Sequence, residues 1–110
     1  MINCSVLILT KNEEECIEKC LDSVSWSNDI VILDSHSTDQ TRSKSSKYKV
    51  RFIQRGLPNS ETKLFGGNES EYRNWAIHNI DYINDWLLVL DADEIITKAL
   101  KDEISKSIKK

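Results

Sequence analysis

At 110 residues and 12.7 kDa, the chain is long enough for one compact domain and too short for two. Its 39% hydrophobic and 30% charged residues, with three Gly and one Pro, exclude collagen-like, low-complexity and broadly disordered classes. A net charge of −3 argues against nucleic acid as a general partner. The longest strongly apolar stretch, Trp86 to Leu90, falls far short of the roughly 20 residues that cross a bilayer. No charged leader with an apolar core opens the sequence, so a cytoplasmic location is expected. Three cysteines, an odd number, fit reduced thiols there. All three read as small core residues, since only His36 and His78 could join them around a metal.

In chain order, Cys4 to Leu9 reads as a strand buried on both faces. Thr10-Lys11-Asn12-Glu13 predicts a capping box, with Thr10 or Asn12 as the cap. Cys16, Ile17, Cys20, Leu21 and Val24 then form a helical stripe. Asp29 to Leu33 is a second strand that runs into the turn Asp34 to Asp39, where Ser37 and Gln40 are spaced as another capping box. A short polar helix is expected over about Gln40 to Lys47, and a strand nearer a sheet edge over Lys49 to Ile53. Gln54 to Asn68, holding Gly56, Pro58, Gly66 and Gly67, reads as a long loop. Gly66-Gly67 is no phosphate loop, because neither the glycine spacing nor a Lys-Ser/Thr follows. Tyr72, Trp75, Ala76, Ile80 and Ile83 mark a helix from Glu69 to about Ile83, and their spacing favours core packing over base stacking. Trp86 to Leu90 is the most hydrophobic strand and is predicted to be central. Leu100, Ile104 and Ile108 mark a Lys-rich amphipathic terminal helix, which leaves open a peripheral contact with an anionic membrane.

Strands alternating with helices predict an α/β layer with a mostly parallel sheet. Ligands of such sheets bind beyond the carboxyl ends of the strands. Three polar clusters occupy those ends: Thr10 to Glu13, Asp34 to Asp39 and Asp91 to Glu94. In an extended Asp91-Ala92-Asp93, both carboxylates project to one side with Cα atoms roughly 6.6 Å apart. They repel unless a cation or hydrogen-bond donors share the site, and a hard ion such as Mg²⁺ or Mn²⁺ suits oxygen ligands. The alternative is a solvated acidic turn capping the last helix. Asp34 could accept from a base N–H or a ribose hydroxyl, whereas Thr38 and Asp39 are better explained as turn and cap residues. Arg73 and Lys11 are the cations that could face a diphosphate, although each taken alone reads first as a surface charge. His36 reads as an exposed turn residue.

Together these segments resemble the start of a family 2 glycosyltransferase with the GT-A fold. The resemblance rests on Ser5 to Glu14, Ile30 to Thr41, Arg73-Asn74-Trp75-Ala76 and Trp86 to Glu94, in the family's order and spacing, and covers residues from about 2 to 100. The variety most similar builds bacterial lipopolysaccharide core and other envelope glycans. The resemblance implies a Rossmann-like, mostly parallel sheet flanked by helices, truncated after the DXD region. It implies a nucleotide-diphosphate sugar as donor, a UDP-sugar first, and a glycan or lipid-linked acceptor. Thr10, Lys11 and Asn12 would belong to the donor pocket, Asp34 would meet base or ribose, and Arg73 would lie near the nucleotide or diphosphate. Asp91-Ala92-Asp93 matches the DXD motif, with Asp91 towards ribose or metal and Asp93 as the more direct ligand of Mg²⁺ or Mn²⁺. The family normally inverts the anomeric centre with a carboxylate base, expected in an acceptor-binding half beyond Lys110. Two positions depart from the pattern: Ser35 stands where many relatives carry a second acid, and His36 where Gly is common.

Two rivals remain at this level. One is a nucleotide-diphosphate-binding module or fragment without autonomous turnover, favoured by the missing acceptor half. The other is a receiver-like signalling domain, disfavoured because Asp91 and Asp93 follow the fourth strand rather than the third. A truncated sheet with exposed apolar surface would also offer a route to self-association.

Overall fold

The computed structural model describes residues 2–54 and 69–109, and for 69–72 and 109 the backbone alone. Beyond Gln54, the long loop therefore lies outside the described residues, as does the side chain of Tyr72. Strands and helices alternate: β1 (Cys4–Thr10), α1 (Ile17–Ser23), β2 (Ile30–Asp34), α2 (Thr41–Ser45), β3 (Arg51–Gln54), α3 (Glu69–Asn79), β4 (Trp86–Asp91) and α4 (Lys98–Lys109). All strand pairs are parallel, in the order β3-β2-β1-β4.

Every residue of β1 is buried, because the strand is paired on both edges and covered on both faces. Side chains of a strand alternate between faces, and the two faces feed two cores. Val6 and Ile8 pack with Ile17, Cys20, Leu21 and Val24 on the α1 side. Leu7 and Leu9 pack with Ala76 and Trp75 on the α3 side. Cys4 and Cys20 are core residues as expected, whereas Cys16 is only half-buried, at the amino end of α1. Burial pushes the Cys20 thiol up to about 12.

The chain runs outward from β1 through β2 to β3, then returns to the far side of β1 for β4. That reversal creates a topological switch between β1 and β4, the crevice where open parallel sheets bind ligands.

Three expectations need correction. Among the described residues β4 is an edge strand, not a central one, and Trp86 at its start is 53% exposed. The apolar run reflects two partly covered faces: Leu88 and Leu90 meet the α1 side, Leu87 and Val89 the α3 side. Face burial alone makes such a strand hydrophobic, whatever its edges do. Ile83 is no core residue. Helix α3 ends at Asn79, and Ile83 is 68% exposed, with its backbone N–H donating to Asp29. Gln54 belongs to β3 rather than to the loop.

At the amino ends of the strands, Asp29 forms a buried polar node. Its carboxylate accepts from the Ser5 hydroxyl at 2.7 Å, the Ile83 N–H at 2.8 Å and the Arg51 guanidinium at 2.9 Å. An open cleft of about 420 Å³ adjoins it, lined by Leu21, Ile30, Tyr48, Val50 and Arg51 among others. This cleft lies at the opposite end of the sheet from the polar clusters.

Candidate functional site at the carboxyl ends of the strands

The register fixes how the three clusters meet. Thr10 lies opposite Asp34 across β1 and β2, and Asp91 lies opposite Leu9 across β1 and β4. Thr10 and Asp34 are fully buried, with exposures of 1% and 0%. The Asp34 carboxylate accepts from the Thr10 hydroxyl, the Ser37 hydroxyl at 2.6 Å and the Ser37 N–H at 2.8 Å. A buried carboxylate needs such donors. Asp34 therefore orders the loop after β2 from beneath.

The loops that follow β1 and β2 are laced together. Asn12 Oδ1 accepts from the Thr38 N–H at 2.8 Å, and the Asn12 N–H donates to the Ser37 hydroxyl at 2.7 Å. The Glu13 N–H donates to Thr41 Oγ1 at 2.8 Å, and the Glu14 N–H to Asp39 Oδ2 at 3.1 Å. Two lysines brace the loops reciprocally. Lys11 Nζ donates to the Ser35 carbonyl at 2.9 Å, and Lys44 Nζ to the Glu14 carbonyl at 2.9 Å.

These contacts overturn both capping boxes. Helix α1 begins at Ile17, with no side chain capping it, and Thr10 sits inside β1. The N–H groups of Glu13 and Glu14, just after the expected cap, are satisfied from the other loop instead. Ser37 likewise turns to Asp34, and it is Asp39 that accepts from the Thr41 N–H at 2.9 Å before α2. Local spacing pointed to local partners, but the neighbouring strand brought better ones. Burial pushes the Asp39 carboxyl up, yet its bonds from Thr41 and Glu14 outweigh that and hold it below the ordinary range.

Two residues of this rim adopt left-handed backbone: Asn12 at φ 54° and His36 at φ 50°. The turn is thus kept with histidine at a position where a Cβ is costly. His36→Gly is expected to raise unfolding stability by about 0.5–1 kcal/mol, read from urea midpoints at unchanged slope.

After β4 the chain turns rather than staying extended. The Glu94 N–H donates to the Asp91 carbonyl at 3.0 Å, while Glu94 Oε1 accepts from the Asp91 N–H at 2.8 Å. The projection expected for an extended Asp91-Ala92-Asp93 is therefore replaced by a reverse turn over a buried Ala92. Arg73 comes from the middle of α3, and its Nη2 lies 3.3 Å from Asp91 Oδ1. Asp93 is exposed.

Sequence reasoning put Glu13 in the cluster after β1 but read it as part of a capping box and gave it no role at the site. Burial first, then the charges of Asp93, Asp39 and Asp91, hold its carboxyl above the ordinary range. Its helix-like spacing masked it, and only the pairing of β1 with β4 reveals the convergence. Among the described residues no cluster of three or more side chains is arranged to hold a metal. The site offers the oxygens of Asp91 and Asp93, a donor set that fits a hard divalent ion sharing its remaining positions with phosphate and water.

A family model described as Glycosyl transferase family 2 matches residues 5–61, just over half of the chain. The chain belongs to that family, and its sheet is of the GT-A, Rossmann-like kind. It is 34% identical over 108 residues to the SPbeta prophage-derived glycosyltransferase SunS of Bacillus subtilis (strain 168), covering 96% of this chain and 23% of that protein. The structure of S. aureus TarS 1-349 superposes with a TM-score of 0.68 at 26% identity, covering 93% of this chain and 31% of that one. A glucosyl-3-phosphoglycerate synthase from Mycobacterium tuberculosis, solved with Mn²⁺, uridine diphosphate and glucosyl-3-phosphoglycerate, gives 0.58 at 26% identity, with 83% and 33% covered. The chain thus spans no more than a third of each of these relatives.

Proposed function

We propose that the 110 residues form the donor-binding part of a metal-dependent glycosyltransferase, which moves a sugar from a nucleotide diphosphate to an acceptor hydroxyl. The observation that carries this reading is the meeting of the β1, β2 and β4 carboxyl ends at the switch point. The donor is a UDP-sugar, in keeping with the uridine diphosphate in the mycobacterial relative. Thr10 and Asp34 form the buried floor of the nucleoside side, and Lys11 and Asn12 its wall. Arg73 stands beside the diphosphate, where a guanidinium can meet phosphate oxygens in pairs.

Asp91 and Asp93 would hold Mg²⁺ or Mn²⁺, which when bound neutralises charge on the departing diphosphate. Arg73 adds to that stabilisation as the leaving group becomes more negative, so it acts most in the transition state. Its ion pair with Asp91 keeps it poised at the rim while both groups remain partly exposed. Glu94 is not promoted to general base, since its Oε1 accepts from the Asp91 N–H in the turn after β4. The base that activates the acceptor hydroxyl, with inversion at the anomeric carbon, is placed in an acceptor-binding part outside these residues. The acceptor is a glycan or lipid-linked saccharide of the cell envelope, following the resemblance in sequence.

The test is a thermal-shift panel of UDP, GDP and TDP, each with and without Mn²⁺. At a hundredfold excess over Kd, the preferred nucleotide stabilises the fold by about 2.7 kcal/mol, raising Tm by roughly 10 °C. No metal-dependent shift with any of the three would defeat the proposal. A donor-binding module without turnover is the second reading, favoured by the engagement of Glu94. Donor hydrolysis or sugar transfer by the isolated chain would remove it.

A further inference from the structure

We infer that Asp39 is a positioning residue for the donor site, acting across the two loops rather than only as the cap of α2. This rests on the reading of the β1–β4 crevice as a donor site. The Asp39 carboxylate is divided between two tasks. Oδ1 accepts from the Thr41 N–H at 2.9 Å and from the Thr41 hydroxyl, which is local cap chemistry. Oδ2 accepts from the Glu14 N–H at 3.1 Å, twenty-five residues away in sequence.

That second bond completes a set. Thr41 Oγ1 takes the Glu13 N–H at 2.8 Å, and Lys44 Nζ holds the Glu14 carbonyl at 2.9 Å. Residues 39 to 44 therefore grip the backbone of Glu13 and Glu14 at three points. All three lie downstream of Asn12, whose left-handed backbone turns the chain away from β1. The grip sets where the loop after β1 stands over the sheet, and with it where Asn12 and the Glu13 carboxylate meet a nucleotide. A loop fixed before binding spares the ordering cost at the moment of association. Asp39 thus contributes to affinity without touching the ligand.

The two tasks can be separated chemically. Asp39→Asn leaves an oxygen for Thr41 but sets an amide NH₂ against the Glu14 N–H, donor against donor. Asp39→Ala removes both acceptors. Wild type, both variants and an Asp102→Ala control on α4 are titrated with UDP and Mn²⁺ by calorimetry. Tm and the hydrogen exchange of the Glu14 amide are followed alongside. The expected result is that Asp39→Asn keeps its Tm within about 3 °C, exchanges the Glu14 amide faster, and binds UDP about tenfold more weakly. Asp39→Ala loses affinity at least as much and Tm as well, and the control matches wild type throughout. Wild-type affinity in Asp39→Asn, or an unchanged Glu14 exchange rate, overturns the positioning role while leaving the donor site intact. Failure of wild type itself to bind any nucleotide instead overturns the donor-site reading, and the positioning role falls with it.

Discussion

Asp93→Ala is expected to abolish the part of UDP stabilisation that depends on Mn²⁺ while leaving the unliganded protein as stable as before. Asp93 is exposed, and its charge contributes to the field that holds the Glu13 carboxyl above its ordinary range. Its removal therefore relieves repulsion and exposes no buried donor, so the unliganded Tm should stay within about 2 °C. With ligand the outcome differs. If Asp91 and Asp93 hold the cation as proposed, it would lose one of its two protein ligands, and the remaining Asp91 also pairs with Arg73. The rise of roughly 10 °C expected with nucleotide and metal together should fall to the level given by nucleotide alone. Differential scanning calorimetry with UDP, with and without Mn²⁺, separates the two parts. A variant that retains the full metal-dependent shift would remove Asp93 from the cation site.

Asp29→Ala should produce the largest loss of stability. Its carboxylate is almost wholly buried and gathers Ser5 from β1, Arg51 from β3 and the Ile83 N–H ahead of β4. Truncation orphans three donors at once. Arg51 is 44% exposed, so water takes over much of its charge, but the Ser5 hydroxyl is fully buried. A cost of about 3 kcal/mol is expected, a large share of the 5–15 kcal/mol typical of a domain. Equilibrium urea unfolding measures it, and a loss below about 0.5 kcal/mol would show the node to be dispensable.

The same group sets the response to acid. Burial pushes the Asp29 carboxyl up, but bonds from Ile83, Ser5 and Arg51 prevail and hold it below the ordinary range. Its stabilisation is complete above the unfolded aspartate pKa of about 3.9 and disappears as pH falls through the lower folded value. Asp39 acts in the same direction. Glu13 acts oppositely, because its raised carboxyl penalises the fold when ionised and the penalty lifts on protonation. Unfolding free energy should accordingly decline below about pH 4, with a shallower decline in Asp29→Ala.

The alternation of strands and helices was legible in sequence because each buried face writes its own period. Val6 and Ile8 against Leu7 and Leu9 is such a record, as is the spacing of Ile17, Cys20, Leu21 and Val24. Order within the sheet was less legible. Trp86 to Leu90 is as apolar as a central strand because its faces are covered, and nothing in a face pattern reports whether an edge is paired. The clusters at the strand ends could be found, since Asp34 and Asp91 interrupt apolar runs abruptly. Their bonding could not: the partners of Asn12, Glu13 and Glu14 lie 25 to 28 residues away, beyond any local spacing rule. Asp29 was hidden for the same reason, as an acid at a strand start whose three partners come from three other segments.

The lacing of the two rim loops constrains how such a domain can be re-engineered. Because Asn12, Glu13 and Glu14 find their partners in residues 37 to 41, the loop after β1 depends on the loop after β2 for its hydrogen bonds. Grafting one of them from a homologue with different donor preference would strand the hydrogen-bonding groups of the other. Exchange of specificity between relatives should succeed only when both segments are transplanted together as a matched cassette.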